Sequence, residues 1–135
     1  MNTPRCARDL MSTPVLFLSR NATVLEAAQF LLDNRLSGAP VADDTGRPVG
    51  VFSFRDLAKY FLDPALQEGG KGAPAQARVS EFMTSRVQSV RPEATIAECR
   101  KAMRQHRTHR VLVQDPDGKM AGIISTSDLA LRVSE

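Results

Sequence analysis

The 135-residue sequence has only two cysteines, no dense cluster of basic residues and no long apolar run. No stretch approaches the roughly 18 apolar residues of a membrane span, and the first residues, MNTPRCARDL, lack the apolar core of a signal peptide. We therefore expect a soluble, cytoplasmic protein. Cys6 and Cys99 lie far apart with no motif around them. Because Cys99 falls on the apolar stripe of a predicted helix, the pattern indicates a buried free thiol.

The sequence also lacks the residue patterns of several function classes. The net charge is only +3, and the basic residues form no run beyond a loose group around Arg100, Lys101, Arg104 and Arg107, so nucleic-acid binding is a weak hypothesis. His106 and His109 have no third ligand at metal-site spacing, which argues against a metal site. No nucleophile–His–Asp set, phosphate-binding loop or paired carboxylates stand out, so we predict that the protein is not an enzyme.

A repeat with an offset of 72 residues organises the chain. GVFSFRD at 50–56 corresponds to GIISTSD at 122–128, and the T-x-x-E sequences at 23–26 and 95–98 correspond in the same register without a gap. T-x-x-E is the pattern of a capping box, in which a hydroxyl and a carboxylate bind the free N–H groups at a helix start. The repeat predicts one supersecondary unit that is used twice.

Each copy has the pattern of a β-α-β-β-α unit. We predict short strands at 15–19 and 87–90, helices after the capping boxes, hairpins closed by DTGR and PDGK, and last helices at 54–61 and 126–133. The two copies span residues 8–62 and 79–133. Residues 63–78, rich in Gly, Pro, Ala and Gln, are predicted to form a solvated linker. Each copy is too short to bury a good core alone, so we expect the two to pack together.

The segments NRLSGAPVADDTGRPVGVFSFRDL and HRTHRVLVQDPDGKMAGIISTSDL resemble two cystathionine-β-synthase (CBS) domains in tandem, a Bateman module. The resemblance covers nearly the whole chain, which leaves no room for a catalytic domain and suggests a stand-alone pair. It implies an α/β (α+β) fold of two pseudo-symmetric repeats packed sheet to sheet, with two clefts between them. It also implies a homodimer that associates through helices, a role in energy sensing and an unidentified regulated protein.

Such clefts commonly hold adenosine compounds, so the resemblance implies AMP, ADP or ATP as ligand, with NAD or S-adenosylmethionine as further options and no required cofactor. In the family an Asp of a G-h-x-[S/T]-x-x-D motif holds the ribose, and this motif occurs here with Asp56 and with Asp128. A carboxylate accepts hydrogen bonds from a ribose diol, yet the same Ser–Asp spacing also caps a helix. The polar GIISTSD copy favours the ribose role at Asp128.

The resemblance assigns two sets of ligand residues. Cleft A would combine second-copy and first-copy residues and has His109 and Arg110 for phosphate groups: Thr13, Leu36, Ser37, Pro40, His109, Arg110, Ser125, Ser127 and Asp128. Cleft B, expected to bind more weakly, would combine Ser53, Asp56, Ser85, Thr108 and Leu112. The alternative hypothesis is a ligand-free dimerisation or interaction scaffold, in which the polar clusters are helix caps only.

Overall fold

The computed structural model describes residues 3–62 and 73–132, which form two three-stranded sheets and the helices that accompany them. The chain divides into two compact units. Residues 16–87 form the first-repeat unit, and residues 1–15 with 88–135 form the second-repeat unit. The predicted α/β class with two β-α-β-β-α copies is confirmed. The packing of one sheet on the other stays a prediction.

The two units share a β-α-β-β-α order, and each also has a short helix, which comes last along the chain in the first-repeat unit and first in the second-repeat unit. The first-repeat unit consists of β1 (Leu18–Ser19), α2 (Val24–Asp33), β2 (Gly38–Ala42), β3 (Pro48–Ser53), α3 (Phe54–Leu62) and α4 (Val79–Phe82). The second-repeat unit consists of α1 (Ala7–Leu10), β4 (Ser89–Val90), α5 (Ile96–His106), β5 (Arg110–Gln114), β6 (Met120–Ser125) and α6 (Thr126–Arg132). In each sheet the first strand is parallel to the second, which is antiparallel to the third. Position 133 of the predicted last helix lies outside the described residues.

Local sequence signals explain where the elements begin and turn. Thr23 and Glu26 form the predicted capping box at α2, with N···O distances of 2.9 and 3.0 Å, and Thr95 and Glu98 repeat it at α5 with 2.8 and 3.1 Å. Both hairpin turns contain a glycine with a positive φ of 87° or 88°. A side chain is disfavoured in that backbone region, which is why glycine stands there in both copies.

The first residues of each predicted copy pair with the last strand of the other copy. Thr84, which precedes β4, exchanges two backbone hydrogen bonds with Val51 of β3, at 2.8 and 2.9 Å. Ser12, which precedes β1, makes the equivalent pair with Ile123 of β6, at 2.8 and 3.1 Å. Each segment thereby covers the outer edge of a sheet, where unpaired backbone groups would otherwise be left. Residues 8–15, which the sequence assigns to the first copy, group with the second-repeat unit by their contacts, and the bounds of the two copies stay a prediction.

The described end of the predicted linker forms backbone hydrogen bonds with the first-repeat unit. The carbonyl oxygens of Pro74 and Ala77 accept hydrogen bonds from the Leu25 and Val24 amides, each at 2.8 Å. These two amides lie in the first turn of α2, where backbone N–H groups find no carbonyl acceptor within the helix itself. Ala77 is 1% exposed and part of the core. Ala77 therefore departs from the expected solvated segment, whereas Ala73, Ala75, Gln76 and Arg78 are exposed, and residues 63–72 lie outside the described part of the chain.

Each unit has its own apolar core. In the first-repeat unit the largest buried side chains are those of Phe52 and Tyr60. In the second-repeat unit Leu10 of α1 packs into a cluster with Cys99 and Ile124. Cys99 is a buried free thiol, as predicted, and burial raises its pKa. Among the described residues, no helix has both the length and the apolar character needed to cross a membrane.

Candidate functional site

The first candidate carboxylate, Asp56, lies in the first turn of α3, directly after β3 ends at Ser53. Its Oδ2 accepts hydrogen bonds from the Ser53 amide at 2.9 Å and the Ser53 hydroxyl at 3.2 Å. Its Oδ1 accepts a third from the Thr84 hydroxyl at 3.2 Å. Asp56 is only 5% exposed. Both carboxylate oxygens therefore have partners within the first-repeat unit.

The second candidate, Asp128, occupies the same position in the first turn of α6. Oδ2 accepts from the Ser125 amide at 2.8 Å and from the Ser125 hydroxyl at 3.1 Å. The Asp128 amide in turn donates to the Ser125 hydroxyl oxygen at 3.2 Å. The side chain is half-buried, and no hydrogen bond reaches Oδ1 from the residues that the structure describes. One oxygen is thus held in place while the other is available.

Thr84 accounts for the difference between the two sites, and sequence reasoning missed it. The second-repeat unit has Ser12 at the position equivalent to Thr84, and within the described residues Ser12 makes no side-chain hydrogen bond to Asp128. The signal in the sequence is the repeated Met-Ser/Thr dipeptide at 11–12 and 83–84, which follows the 72-residue offset.

His109 and Arg110, the basic pair predicted to contact phosphate, lie next to the β6–α6 junction that contains Asp128. Arg110 is the first residue of β5 and pairs directly with Ser125 of β6. The His109 carbonyl accepts a hydrogen bond from the Thr126 amide at 2.9 Å, so His109 also lies at the β6–α6 junction, with its side chain exposed. The first-repeat unit has Gly38 paired with Ser53 at the equivalent position and no basic side chain there.

The other predicted ligand residues are divided between the two units. For cleft A, Thr13 and Ser127 lie in the second-repeat unit with Asp128, whereas Leu36, Ser37 and Pro40 lie in the first. For cleft B, Ser85 lies with Asp56 and Ser53 in the first-repeat unit, whereas Thr108 and Leu112 lie in the second. The sequence had assigned Thr13 to the first copy and Ser85 to the second. The edge pairing of Ser12 and Thr84 places these two residues in the opposite units, and convergence on two clefts stays a prediction.

Among the residues that the structure describes, hollows open at two places on the surface of the second-repeat unit. One of about 1100 Å³ lies among β4, α5 and the β5–β6 turn and is bordered by both acidic and basic residues, Glu93, Glu98, Lys101 and Asp115 among them. The other, of about 450 Å³, is referred to below as the arginine hollow. It lies between the end of α5 and the start of α6 and is lined by Arg100, Met103, Arg104, Arg107, Thr108, His109, Thr126 and Leu129.

The described residues contain no group of three or more His, Cys, Asp and Glu side chains arranged to hold a metal ion. The β6–α6 junction instead offers a carboxylate oxygen of Asp128 and the Ser125 hydroxyl at a strand end. Such groups suit hydrogen bonding to the hydroxyls of a small molecule.

The duplicated units and their matched Ser–Asp junctions define a tandem-repeat α/β protein. The family model of the CBS domain matches residues 7–63 and 79–135. The chain therefore belongs to the CBS domain family and contains a pair of these domains, as its sequence suggested.

Relatives and solved structures of similar chains agree with this assignment. The CBS domain-containing protein YhcV of Bacillus subtilis is 29% identical over 124 residues, which cover 92% of this chain and 82% of the relative. The crystal structure of Hypoxic Response Protein I with two coordinated zinc ions matches with a TM-score of 0.79 and 26% identity, over 93% of this chain and 96% of that one. The cytosolic domain of the Mg²⁺ channel MgtE, solved in complex with ATP, matches with a TM-score of 0.76 and 26% identity, over 93% of this chain and 48% of that one.

Proposed function

We propose that this CBS pair is a non-catalytic regulatory module that binds an adenine nucleotide, with Asp128 holding the ribose. The observation that carries the proposal is the difference between the two oxygens of Asp128. Oδ2 is held by Ser125, whereas Oδ1 has no hydrogen-bond partner among the described residues. A carboxylate fixed in this way is oriented before the ligand arrives and can accept hydrogen bonds from the two ribose hydroxyls.

Phosphate groups would be bound on the same side of the second-repeat unit. The backbone of Arg110 pairs with that of Ser125, so its side chain leaves the sheet near the junction, and arginine binds phosphate through paired, charge-assisted hydrogen bonds. The complex of the MgtE cytosolic domain with ATP supports an adenine nucleotide as ligand. The ligand set is AMP, ADP or ATP first, with NAD and S-adenosylmethionine as further members.

The regulatory step follows from differential binding. A ligand shifts a conformational equilibrium only to the extent that it binds one state more tightly than the other. A nucleotide that contacts residues of both repeats would favour one arrangement of them, and a regulated protein would respond to that arrangement. Binding of AMP, ADP and ATP with different affinities would make the module a sensor of cellular energy.

The test is calorimetric titration of the full chain with AMP and with 2′-deoxy-AMP. Wild type is expected to bind AMP roughly tenfold to a hundredfold more tightly, because the deoxy compound leaves a charged acceptor without one donor. Asp128→Asn is expected to weaken AMP binding and to reduce this preference for the ribose hydroxyl. This preference is the ratio of the affinities of one protein variant for two ligands. A general loss of structure would weaken both affinities alike, so a change in the ratio indicates a lost ribose contact.

Asp56→Asn is the matched control, because it makes the same change at the same position of the other repeat. It is expected to leave the ratio of the AMP and 2′-deoxy-AMP affinities at the Asp128 site unchanged, measured below the melting temperature of the variant. An equal loss of preference in both variants would contradict the assignment to Asp128. No binding of any of the five ligands at millimolar concentration would refute the sensor and favour the ligand-free scaffold.

We further propose that the chain forms a homodimer through α2 and α3. Leu25 and Leu32 share one face of α2 and are 53% and 62% exposed, and Phe61 of α3 is 51% exposed. The equivalent positions of the second copy are Ala97, Arg104 and Val133. The unequal apolar surface supports a contact made by the first copy, in line with the helix-mediated association expected for this family.

Sedimentation velocity tests the homodimer with the Leu32→Glu variant. This variant is expected to sediment as a monomer, whereas Ala97→Glu, which adds the same charge to an exposed site of α5, is expected to remain dimeric. A wild-type chain that stays monomeric at high micromolar concentration would refute this part of the proposal.

A further inference from the structure

The arginine hollow combines an apolar floor with a rim of cationic side chains. Met103, which is 5% exposed, and Leu129 form the floor, and both pack in the core of the second-repeat unit. Arg100, Arg104 and Arg107 stand on the rim, and all three are exposed. The hollow is shallow and has a volume of about 450 Å³.

The positive charge of this rim is not compensated within the described residues. No carboxylate there lies within ion-pair distance of Arg100, Arg104 or Arg107, whereas Arg8 pairs with Glu93 at 3.2 Å in the same unit. From residue 100 to residue 107 the chain has four basic residues and no acidic one, in a protein whose net charge is only +3. The uncompensated charge is therefore concentrated at this place.

The fold itself does not require Arg100 and Arg104. Arg100 and Arg104 are four residues apart on one face of α5, where two like charges reduce helix stability. The first copy has Ala28 and Leu32 at the equivalent positions of α2 and Phe54 in place of Thr126, yet it forms the same helix and the same hairpin. A costly feature that only one of two matched units contains points to binding rather than to folding.

We propose that the arginine hollow is a binding site for a chain of linked phosphate groups. Guanidinium groups form paired hydrogen bonds with phosphate oxygens, and neighbouring arginines on one helix face can contact successive phosphates. His109 adds a further nitrogen at the rim. An extended polyphosphate uses several of these groups at once, whereas a single phosphate uses one or two.

The phosphate chain has two possible sources, a free polyphosphate or the tail of a nucleoside triphosphate. His109 and Thr126 join the hollow to the β6–α6 junction where Asp128 lies, and for the nucleotide source the inference rests on the proposed function. In that case the module would prefer ATP to AMP.

The first experiment is calorimetric titration of the full chain with sodium tripolyphosphate and with orthophosphate, without divalent cations. Wild type is expected to bind tripolyphosphate more tightly. The Arg100→Gln/Arg104→Gln double variant is expected to weaken that binding by roughly tenfold or more, as the loss of charge-assisted hydrogen bonds predicts. Glutamine is a good helix former at exposed positions, so the variant retains its helix.

The matched control is the Arg20→Gln/Lys59→Gln double variant, which removes the same net charge from exposed positions of the first-repeat unit. It is expected to bind tripolyphosphate as wild type does. If wild type does not bind tripolyphosphate at millimolar concentration, or if both double variants weaken binding equally, the proposal is overturned. Binding of an acidic peptide without any binding of tripolyphosphate would overturn it in favour of a protein partner.

Titrations with ATP and AMP separate this inference from the proposed function. If tripolyphosphate binds in an arginine-dependent way and neither nucleotide binds, the arginine hollow is supported as a phosphate site and the nucleotide sensor is refuted. A different result would support the nucleotide sensor and refute the phosphate site in the arginine hollow. In that result ATP and AMP bind with equal affinity, the arginine double variant does not change either affinity, and tripolyphosphate does not bind.

Discussion

The Thr84 hydroxyl donates a hydrogen bond of 3.2 Å to Asp56 Oδ1, and this contact separates the two copies of the Ser–Asp motif. Both carboxylate oxygens of Asp56 accept hydrogen bonds from the first-repeat unit, and the residue is buried. Asp128, in contrast, has one oxygen without a partner in the described part of the second-repeat unit. The same motif therefore has a structural role in one copy and is available for binding in the other.

Substitution of the two aspartates is expected to affect stability unequally. Asp56→Ala would leave the Ser53 amide and the Thr84 hydroxyl without their acceptor in a buried site, at a cost of about 1–3 kcal/mol in the free energy of unfolding. Asp128→Ala is expected to cost less, because the site is half-buried and water can replace the lost acceptor. Urea unfolding of both variants measures the difference, and an equal or reversed order would contradict the assignment.

The N-terminal helix is expected to stabilise the second-repeat unit. Leu10 of α1 is fully buried in the cluster that contains Cys99 and Ile124, so Leu10→Ala should reduce the free energy of unfolding by about 2–5 kcal/mol. Leu16→Ala is the control, since Leu16 is 45% exposed and its truncation should cost little. Hydrogen exchange would show the loss of protection in β5 and β6. Similar costs for the two variants would contradict the placement of α1.

Gly50 and Gly122 of the two Ser–Asp motifs are expected to be destabilised by a side chain, because residues 83–84 and residue 11 pack against them. A Cβ atom at Gly122 would lie 2.5–2.7 Å from three atoms of the Met11 side chain. A Cβ at Gly50 would lie 2.6 Å from Met83 Sδ and also 2.7 Å from the Thr84 carbonyl oxygen. Each Gly→Ala variant should therefore lose about 1–3 kcal/mol of stability.

A double-mutant cycle distinguishes these two sites. Met11→Gly removes all three of the atoms nearest to the new Cβ at Gly122, so the pair Gly122→Ala and Met11→Gly should show a favourable coupling of about 0.5 kcal/mol or more. Met83→Gly cannot remove the Thr84 carbonyl, so its coupling with Gly50→Ala should be smaller. Equal coupling at the two sites would contradict this explanation.

The capping box of α5 is expected to make stability depend on pH in the acidic range. Hydrogen bonds from the Thr95 amide and hydroxyl lower the pKa of Glu98 below its ordinary value of 4.5. The folded state therefore binds the Glu98 proton less readily than the unfolded state, and the box contributes stability above pH 4.5 that is lost as the pH falls through the lowered pKa. Glu98→Gln should consequently lose less stability than wild type between pH 5 and acidic conditions.

Thermal unfolding across that pH range measures the effect of Glu98→Gln. Asp44→Asn, at an exposed carboxylate in the first hairpin turn, serves as the control and should follow the wild-type curve. Parallel curves for wild type and Glu98→Gln would show that the box does not contribute in this way.

The two cysteines are expected to react at different rates with a thiol reagent. Cys99 is fully buried in the core, and desolvation raises its pKa, so little thiolate forms and access is blocked. Cys6 is partly exposed. Mass spectrometry after timed alkylation of the native chain should find Cys6 modified first, and faster modification of Cys99 would contradict its burial.

The sequence by itself determined the features that depend on neighbouring residues. The 72-residue repeat, the T-x-x-E helix starts, the Gly-containing hairpin turns and the Ser–Asp junctions are visible in the printed order, because capping and turn geometry involve residues only a few positions apart. These features sufficed for the fold class and the family. They also marked Asp56 and Asp128 as candidates, but they made the two look more alike than they are.

Only the tertiary structure decided what surrounds those residues. The exchange of the segments with Ser12 and Thr84, the burial of Ala77 and the position of Arg100 and Arg104 beside α6 all join residues that are distant in the chain. Such contacts depend on which sheet edge is left unpaired and which apolar surface remains to be covered, and a local pattern contains neither. The contact of Thr84 with Asp56 arises in this way, and it is the reason why two copies of one motif have different chemistry.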